Sequence, residues 1–330
     1  MKKTVLQVLL EHQGEYVSGE EISDLLQVSR TAVWKHIQSL KEAGYKINSS
    51  SGKGYCLLER PDLLTPLEIK TGLKTEFLGH NSLCYTTLDS TNETAKKEAL
   101  ADAPEGTVVV AEQQQQGKGR LERNWFSPPE LGLWFSVILR PQIELVQASQ
   151  LTFVSAVAVC QALRTVTGLS VMIKWPNDLL YRGKKLCGIL TELGAEIEEI
   201  NYLVVGIGLN VNQQAKDFPP EIRKTATSLA LASGRSWQRV ELLRAILEEY
   251  EKQYQIYLQK GFAQTLLLWR ELNVTLGQEV TVSTREESFV GIAEDINEAG
   301  CLLIRKASGE LETLIAGDVS LRGSFPKDRD

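Results

Sequence analysis

The chain is predicted to be an α+β multidomain protein, on three observations. Residues 1–60 read as helices closed by a two-stranded ribbon, residues 76–270 intersperse strands with helices, and residues 273–323 hold short strands broken by glycines. At 330 residues the chain exceeds one small domain. Its 43 % hydrophobic and 24 % charged residues give the balance of a core-forming soluble protein. No apolar run reaches membrane-spanning length, so no span is expected. The N-terminal stretch MKKTVLQVLLEHQGEY is interrupted by Glu11 and His12 and lacks a small-residue cleavage site; it reads as a first helix, not a signal peptide. Five cysteines (Cys56, Cys84, Cys160, Cys187, Cys301) are scattered without a CxxC pair. That spacing argues against a disulfide framework or structural zinc and fits a reducing cytoplasm.

Leu6, Leu9 and Leu10 set the stripe of the first helix. Ser18 with Glu21 forms a capping-box pattern ahead of Ile22, Leu25 and Leu26, which predicts a second helix. After a break at Gln27-Val28, Ser29 is a good N-cap for a third helix with Val33, Ile37 and Leu40 inward, ending at Gly44. Alternation around Gly52 and Gly54 then predicts a hairpin with a basic tip. This is the order of a winged helix-turn-helix. A helical protein-interaction domain has the same outline, but the charges favour a polyanion. The net charge of the chain is −6, yet residues 29–60 carry Arg30, Lys35, Lys41, Lys46, Lys53 and Arg60 against only Glu42 and Glu59. In such a domain the start of the second helix of the motif reaches the major groove. Ser29, Arg30, Thr31 and Lys35 occupy that position here, with Lys53 at the wing tip; Arg30 and Thr31 are the candidates for base reading. Trp34 could touch DNA, but beside Val33 it reads as partial core.

Residues 61–75 read as a connector with one short helix, followed by strands at TVVVAEQQ, GLWFSVILRP, VMIKWPN, KLCGILTEL and YLVVGIGLNV, a long apolar helix at SQLTFVSAVAVCQALRTVTG, and helix from Val240 to about Leu272. Glycines at 277, 291, 300, 309 and 317 then predict a small antiparallel barrel. The only histidines are His12, His36 and His80, so the last 250 residues offer no imidazole base, and chemistry there rests on cations, carboxylates and backbone dipoles. Neither a P-loop nor a complete G-x-G-x-x-G is present. Three clusters remain: Gly117-Lys118-Gly119-Arg120 with Arg123 and Trp125, suited to a polyanion and a stacked base; Lys174-Trp175-Pro176-Asn177-Asp178 leading to Lys184 and Lys185, read as a hairpin with basic margins; and Gly206-Ile207-Gly208-Leu209-Asn210, where strand glycines suggest close approach of a ligand. Taken singly, the first equally describes a basic surface loop and the second lysines bordering core strands.

GKGRLERNW, KWPNDLLY, KKLCGIL and VVGIGLNVN, in this order and spacing, resemble the motifs of biotin–protein ligases. With the winged helix in front, nearly the whole chain is similar to the bifunctional biotin ligase/biotin operon repressor family. The resemblance implies a winged helix-turn-helix at 1–62, a linker at 63–76, an α/β catalytic domain with a mixed sheet at 77–271 and an SH3-like barrel at 272–325. It implies ATP-dependent formation of biotinyl-5′-AMP with Mg²⁺, then transfer to one lysine of a biotin carboxyl carrier domain. Biotinyl-AMP would act as corepressor, promoting a homodimer that binds operator DNA; no membrane partner is implied.

Residue by residue, the resemblance implies that Ser90, Thr91 and Gln114 bind the ureido ring. Gly117, Lys118 and Arg120 would line a loop over biotin and the phosphate, and Arg123 would serve the phosphates. Trp125 would stack on adenine. Lys185, rather than Lys184, would bridge the biotin carboxylate and α-phosphate, giving catalytic roles to Lys185 and Arg120. Gly206 and Gly208 would flank the biotin tail and Asn210 would lie near the nucleotide. No protein metal ligand is implied. Ser90 and Thr91 could equally cap a helix. Gln116 departs from a usually small residue and Lys118 from a frequent arginine. A biotin-sensing transcription factor without ligase activity, and a lipoate or octanoate ligase, are the rival readings.

Overall fold

The computed structural model describes residues 4–196, 199–283, 288–315 and 317–321. By backbone contacts the chain forms two compact units, one of residues 1–63 with 70–72 and one of 64–69 with 73–330.

In the first unit, helix α1 (Val5–Glu11) opens with a reciprocal capping box between Thr4 and Gln7. Helix α2 (Gly19–Leu26) is capped by Ser18, whose hydroxyl accepts from the Glu21 N–H, and Gln27 in the left-handed region ends it. Ser29 caps α3 (Arg30–Glu42) by accepting from Ala32 N–H at 3.1 Å. Strands β1 (Lys46–Ser50) and β2 (Gly54–Glu59) form the antiparallel hairpin. Val5, Leu6, Val8, Leu9, Ile22, Val33, Ile37, Leu40, Ile47 and Leu57 close one apolar cluster. Two details differ from the helical pattern. Leu25 is exposed, and Trp34 is 52 % exposed rather than part of the core. Val33 already fills the inward position, and one residue further round the 100° helical step points outward.

Helix α4 (Pro66–Lys70), of which all but the last residue belongs to the second unit, has Ile69 buried. Strand β3 (Ser82–Leu88) and helix α5 (Thr91–Leu100), neither expected as elements, follow; then come β4 (Val108–Gln114), β5 (Gly132–Leu139) and α6 (Gln150–Thr167), which ends at Gly168 with φ 72°. The expected two-stranded Lys174/Lys184 hairpin is in fact a three-stranded meander of β6 (Met172–Lys174), β7 (Asp178–Tyr181) and β8 (Lys184–Glu196). Trp175-Pro176-Asn177 forms the first turn and Arg182-Gly183, both at positive φ, the second. Strand β9 (Glu199–Asn210), α7 (Leu229–Ser233), α8 (Arg239–Lys260) and α9 (Phe262–Leu272) complete this part, the break at Gly261 dividing the expected single helical stretch.

The sheet has the order β3-β4-β5-β9-β8-β7-β6, with β3 and β4 parallel and the other pairs antiparallel. Side-chain alternation divides its faces. Leu203, Val205, Ile207 and Leu209 of β9 join Phe135, Val137, Cys187 and Ile189 in the core under α6 and α8. The intervening residues, Gly206 and Gly208, stand opposite Ser136 and Trp134 on one side and Leu190 and Gly188 on the other. The opposite face therefore carries a patch of small residues at its centre, while α5 covers Val109, Ile138 and Val204 beside it. The segment Leu145–Thr167 is long and apolar enough to cross a membrane by length and mean hydropathy alone, although polar residues interrupt it; most of it is buried in this core.

The last strands, β10 (Glu279–Ser283), β11 (Ser288–Ile296), β12 (Leu302–Lys306), β13 (Leu311–Leu314) and β14 (Asp318–Leu321), form an antiparallel sheet of order β13-β12-β11-β10-β14. It is joined to the larger sheet by Trp175, whose backbone N–H donates to Thr275 Oγ1 and whose indole donates to Gly300 O. Residues 322–325 of the expected C-terminal domain lie outside the described residues.

Candidate active site

A cleft of about 580 Å³ opens over the glycine-rich face. Its floor is built from the register just described. A Cβ on Gly208 would collide with the Trp125 indole, and one on Gly188 would come within 2.9 Å of the same ring. Trp125 thus lies directly on the sheet because two facing strand positions lack side chains. Lys185 Nζ lies 5.2 Å from the ring centroid and forms an ion pair with Asp178 Oδ1 at 2.7 Å. The strand is held there by Lys185 N–H donating to Thr225 O and Thr227 N–H donating to Lys185 O.

At the other end of the cleft Ser90 precedes α5 without capping it through its side chain, so capping does not explain this hydroxyl. Thr91 donates from its backbone N–H (2.8 Å) and its hydroxyl (3.1 Å) to Gln114 Oε1, and Gln114 Nε2 donates to Ser127 Oγ. Ser136 Oγ stands 2.7 Å from Thr91 Oγ1 and 2.6 Å from Asn92 Oδ1. Asn92 also donates to Leu190 O and to Glu192 Oε2. Gly206 leaves room for this amide: any Cβ there would meet Asn92 Oδ1. Its glycine serves Asn92, as that of Gly208 serves Trp125.

Between the two ends runs the loop 115–125. Gly119 N–H donates to Arg123 O and Trp125 N–H to Gly117 O, which closes it into a small hairpin, with Leu121 and Glu122 at positive φ at its tip. A Cβ on Gly117 would stand 2.9 Å from Ser127 Oγ and press on the Trp125 carbonyl. The Gln116 side chain is exposed, so its greater size than the usual residue meets no obstacle. Lys118 Nζ lies 2.6 Å from Glu93 Oε1, and Lys96 Nζ 2.7 Å from the same oxygen. Beside these ammonium groups, that of Lys118 first, the Glu93 carboxyl is held down at about 2.

The structure thus brings Ser90, Thr91, Gln114, Lys118, Arg120, Arg123, Trp125, Lys185, Gly206, Gly208 and Asn210 to one cleft, while Gly117, which is buried, and Lys184, which faces solvent, do not line it. Asn210 is buried and engaged, donating to Thr227 O and accepting from Gln213. Sequence reasoning missed Asn92, Glu93, Ser127 and Ser136. The one signal available was Ser136, a lone polar residue in the apolar run GLWFSVIL. Ser283, Val319 and Ser320 of the C-terminal strands also line the cleft.

In the first unit Ser29, Arg30, Thr31 and Lys35 are exposed along α3, together with Trp34. Lys53, at the hairpin, lies 5.8 Å from the Tyr16 ring, and Tyr16 accepts a hydrogen bond from Asn48.

Three family models match the chain: "HTH domain" at residues 2–56, "Biotin/lipoate A/B protein ligase family" at 84–210 and "Biotin protein ligase C terminal domain" at 275–322. The bifunctional ligase/repressor BirA of Bacillus subtilis is 41 % identical over 97 % of this chain and 98 % of its own length. That of Escherichia coli is 29 % identical over 96 % of each. Among solved structures, the biotin protein ligase from Aquifex aeolicus in complex with biotin and ATP covers 74 % of this chain and 99 % of its own, at 32 % identity and a TM-score of 0.64.

Proposed function

The chain belongs to the biotin–protein ligase family, in the group of bifunctional ligase/repressors, and on that premise we propose a two-step ligase that also represses transcription. Biotin carboxylate attacks the α-phosphorus of ATP and expels pyrophosphate. A carrier-domain lysine amine then attacks the acyl carbon of biotinyl-5′-AMP, AMP leaves, and the amide nitrogen loses its proton. The observation that carries this reading is the convergence of Lys118, Arg120, Arg123 and Lys185 on the same cleft as the polar floor Ser90-Thr91-Gln114.

Step one forces a carboxylate against a triphosphate, so its barrier is dominated by like-charge repulsion, and fixed cations lower it. Lys185, which lines the cleft beside Trp125, is the group we assign to bridging carboxylate and α-phosphate. Arg120 joins it, with Arg123 on the outer phosphates and Trp125 against adenine. Ser90, Thr91 and Gln114 would bind the ureido ring, Gly117 would help form the loop over biotin, Gly206 and Gly208 would flank the biotin tail, and Asn210 would shape the nucleotide end. Step two needs positioning more than a strong base, because AMP is a good leaving group. No histidine lines the cleft.

Among the described residues no three carboxylate, histidine or cysteine side chains stand together as a metal cage. Asp178, at the cleft margin, is a single carboxylate, which suits Mg²⁺ carried mainly by nucleotide phosphates. Bound there, the ion would neutralise phosphate charge.

For repression, Arg30 and Thr31 would read base edges and Ser29, Lys35 and Lys53 would meet phosphates. We assign these tasks to residues 1–62, ligation to 77–271 and 272–325, and connection to 63–76. Biotinyl-AMP-dependent dimerisation would place two such domains on a palindromic operator. The cytoplasm, where ATP and carrier domains meet, is the compartment this implies. The deciding test is biotin-dependent exchange of pyrophosphate into ATP, followed by biotin transfer to a carrier domain. Exchange driven by lipoate instead of biotin would overturn the substrate, and its complete absence would leave only the DNA-binding half.

A further inference from the structure

Ser136 and Glu192 belong to none of the motifs above and do not line the cleft, yet both are bonded to residues that do. Ser136 is fully buried in the apolar strand β5. A hydroxyl there costs stability unless its bonds are made. Here they are made, and the neighbours fix which atom gives each proton.

Asn92 has one possible amide orientation. Its nitrogen donates to Leu190 O at 3.3 Å and to Glu192 Oε2 at 2.7 Å, and Glu192 Oε1 pairs with Lys96 at 3.0 Å, so this carboxylate accepts at both oxygens. Asn92 Oδ1 is therefore the atom that faces Ser136. The Ser136 hydroxyl donates to it at 2.6 Å and shares the same proton with Thr91 Oγ1 at 2.7 Å. Meeting a donor on that side, the Thr91 hydroxyl offers a lone pair. Its own single proton goes to Gln114 Oε1, which the bond from the Thr91 backbone N–H identifies as the amide oxygen. With the proton and one lone pair committed inside the protein, a second lone pair is what this hydroxyl has left for the cleft it lines.

We propose that Ser136 is a positioning residue: steered by Asn92 and Glu192, it fixes the Thr91 hydroxyl as a hydrogen-bond acceptor and makes this end of the cleft a subsite for a ring that carries an N–H. A cyclic urea supplies that group. A dithiolane ring does not, and would leave the acceptor unpaired and out of water, the situation in which a polar site rejects an analogue most strongly. Without Ser136 the Thr91 hydroxyl could turn its proton toward the cleft and face the ring N–H with a second donor. The inference deepens the ligase reading and rests on its placing of the ureido ring at Thr91.

The test is a double-variant cycle on the full chain, read as the Kd for biotin by calorimetry and as kcat in pyrophosphate exchange. Ser136→Ala should weaken biotin about two- to twelvefold, the worth of one neutral hydrogen bond, with kcat little changed. Thr91→Val removes the acceptor itself, so adding Ser136→Ala to it should cost nothing further. In Thr91→Ser, which keeps the hydroxyl, the cost of Ser136→Ala should return. Glu192→Ala, at a half-buried site, releases the Asn92 amide and should act in the same direction with the same dependence on Thr91. An unchanged Kd in Ser136→Ala, or losses that multiply when it is combined with Thr91→Val, would overturn the proposal; the latter would mean that Ser136 merely packs the strand. A wild-type chain that binds biotin but exchanges no pyrophosphate would remove the ligase reading, and the Kd cycle would still decide the role of Ser136. One that binds no biotin would overturn the subsite and the ligase reading together.

Discussion

Replacing Gly206 with alanine tests whether the cleft floor was built around Asn92. The added Cβ would lie against Asn92 Oδ1 and 2.8 Å from its Cγ. Asn92 cannot step aside freely, because it is buried and bonded to Ser136, Leu190 and Glu192. If the side chain is displaced, three hydrogen bonds worth about 0.5–1.5 kcal/mol each are at risk. If the strand shifts instead, overpacking costs about 1–3 kcal/mol. The two routes together span about 1–4.5 kcal/mol, which in a unit of this size lowers Tm by about 2–18 °C. Thermal unfolding followed by tryptophan fluorescence measures it. The diagnostic control is the double variant Gly206→Ala with Asn92→Ala, in which the collision partner is gone. The double variant should be less destabilised than the sum of the two singles by more than about 1 kcal/mol. Strict additivity, or a single-variant loss below about 1 kcal/mol, would refute the reasoning.

Lys185→Ala should lower biotin-dependent pyrophosphate exchange by about 100-fold or more while Tm changes little, because the lost Asp178 ion pair is partly solvated; normal exchange would show that Lys184 or another cation does the bridging. Arg30→Ala should cost about 1–3 kcal/mol of operator discrimination and leave ligation untouched, as measured by competition binding and carrier biotinylation on one preparation; equal loss of both activities would show that the division of labour is wrong. Burial pushes the Cys84 and Cys160 thiols up to about 12, with Glu112 adding to the effect on Cys84. At pH 8 only about one in 10⁴ of either would be thiolate, so iodoacetamide should spare both in the native chain and label both after unfolding in urea.

Most of the element order was legible in the sequence because it rests on local periodicity. The stripe of Val33, Ile37 and Leu40, the alternation of YLVVGIGLN and the stop at Gly168 each report a preference decided within a few residues. What failed was also local in origin. The β7 strand is only four residues long, α5 (TNETAKKEAL) has too weak an apolar stripe to announce itself, and Trp34 was assigned to the core by its neighbour rather than by its angle on the helix.

The order and spacing of GKGRLERNW, KWPND and VVGIGLN indicated the chemistry through their resemblance to the motifs of biotin–protein ligases, since each cluster by itself also fits a basic surface loop or lysines bordering core strands. Tertiary structure alone decided why Gly206 and Gly208 are glycines, one making room for Asn92 and the other for Trp125, and why Glu93 meets Lys118 across 25 residues of sequence. Those contacts depend on β5, β8 and β9 lying in one register, with β9 presenting alternate residues to opposite faces. Strand pairing joins residues remote in the chain, and no short window of sequence contains both partners.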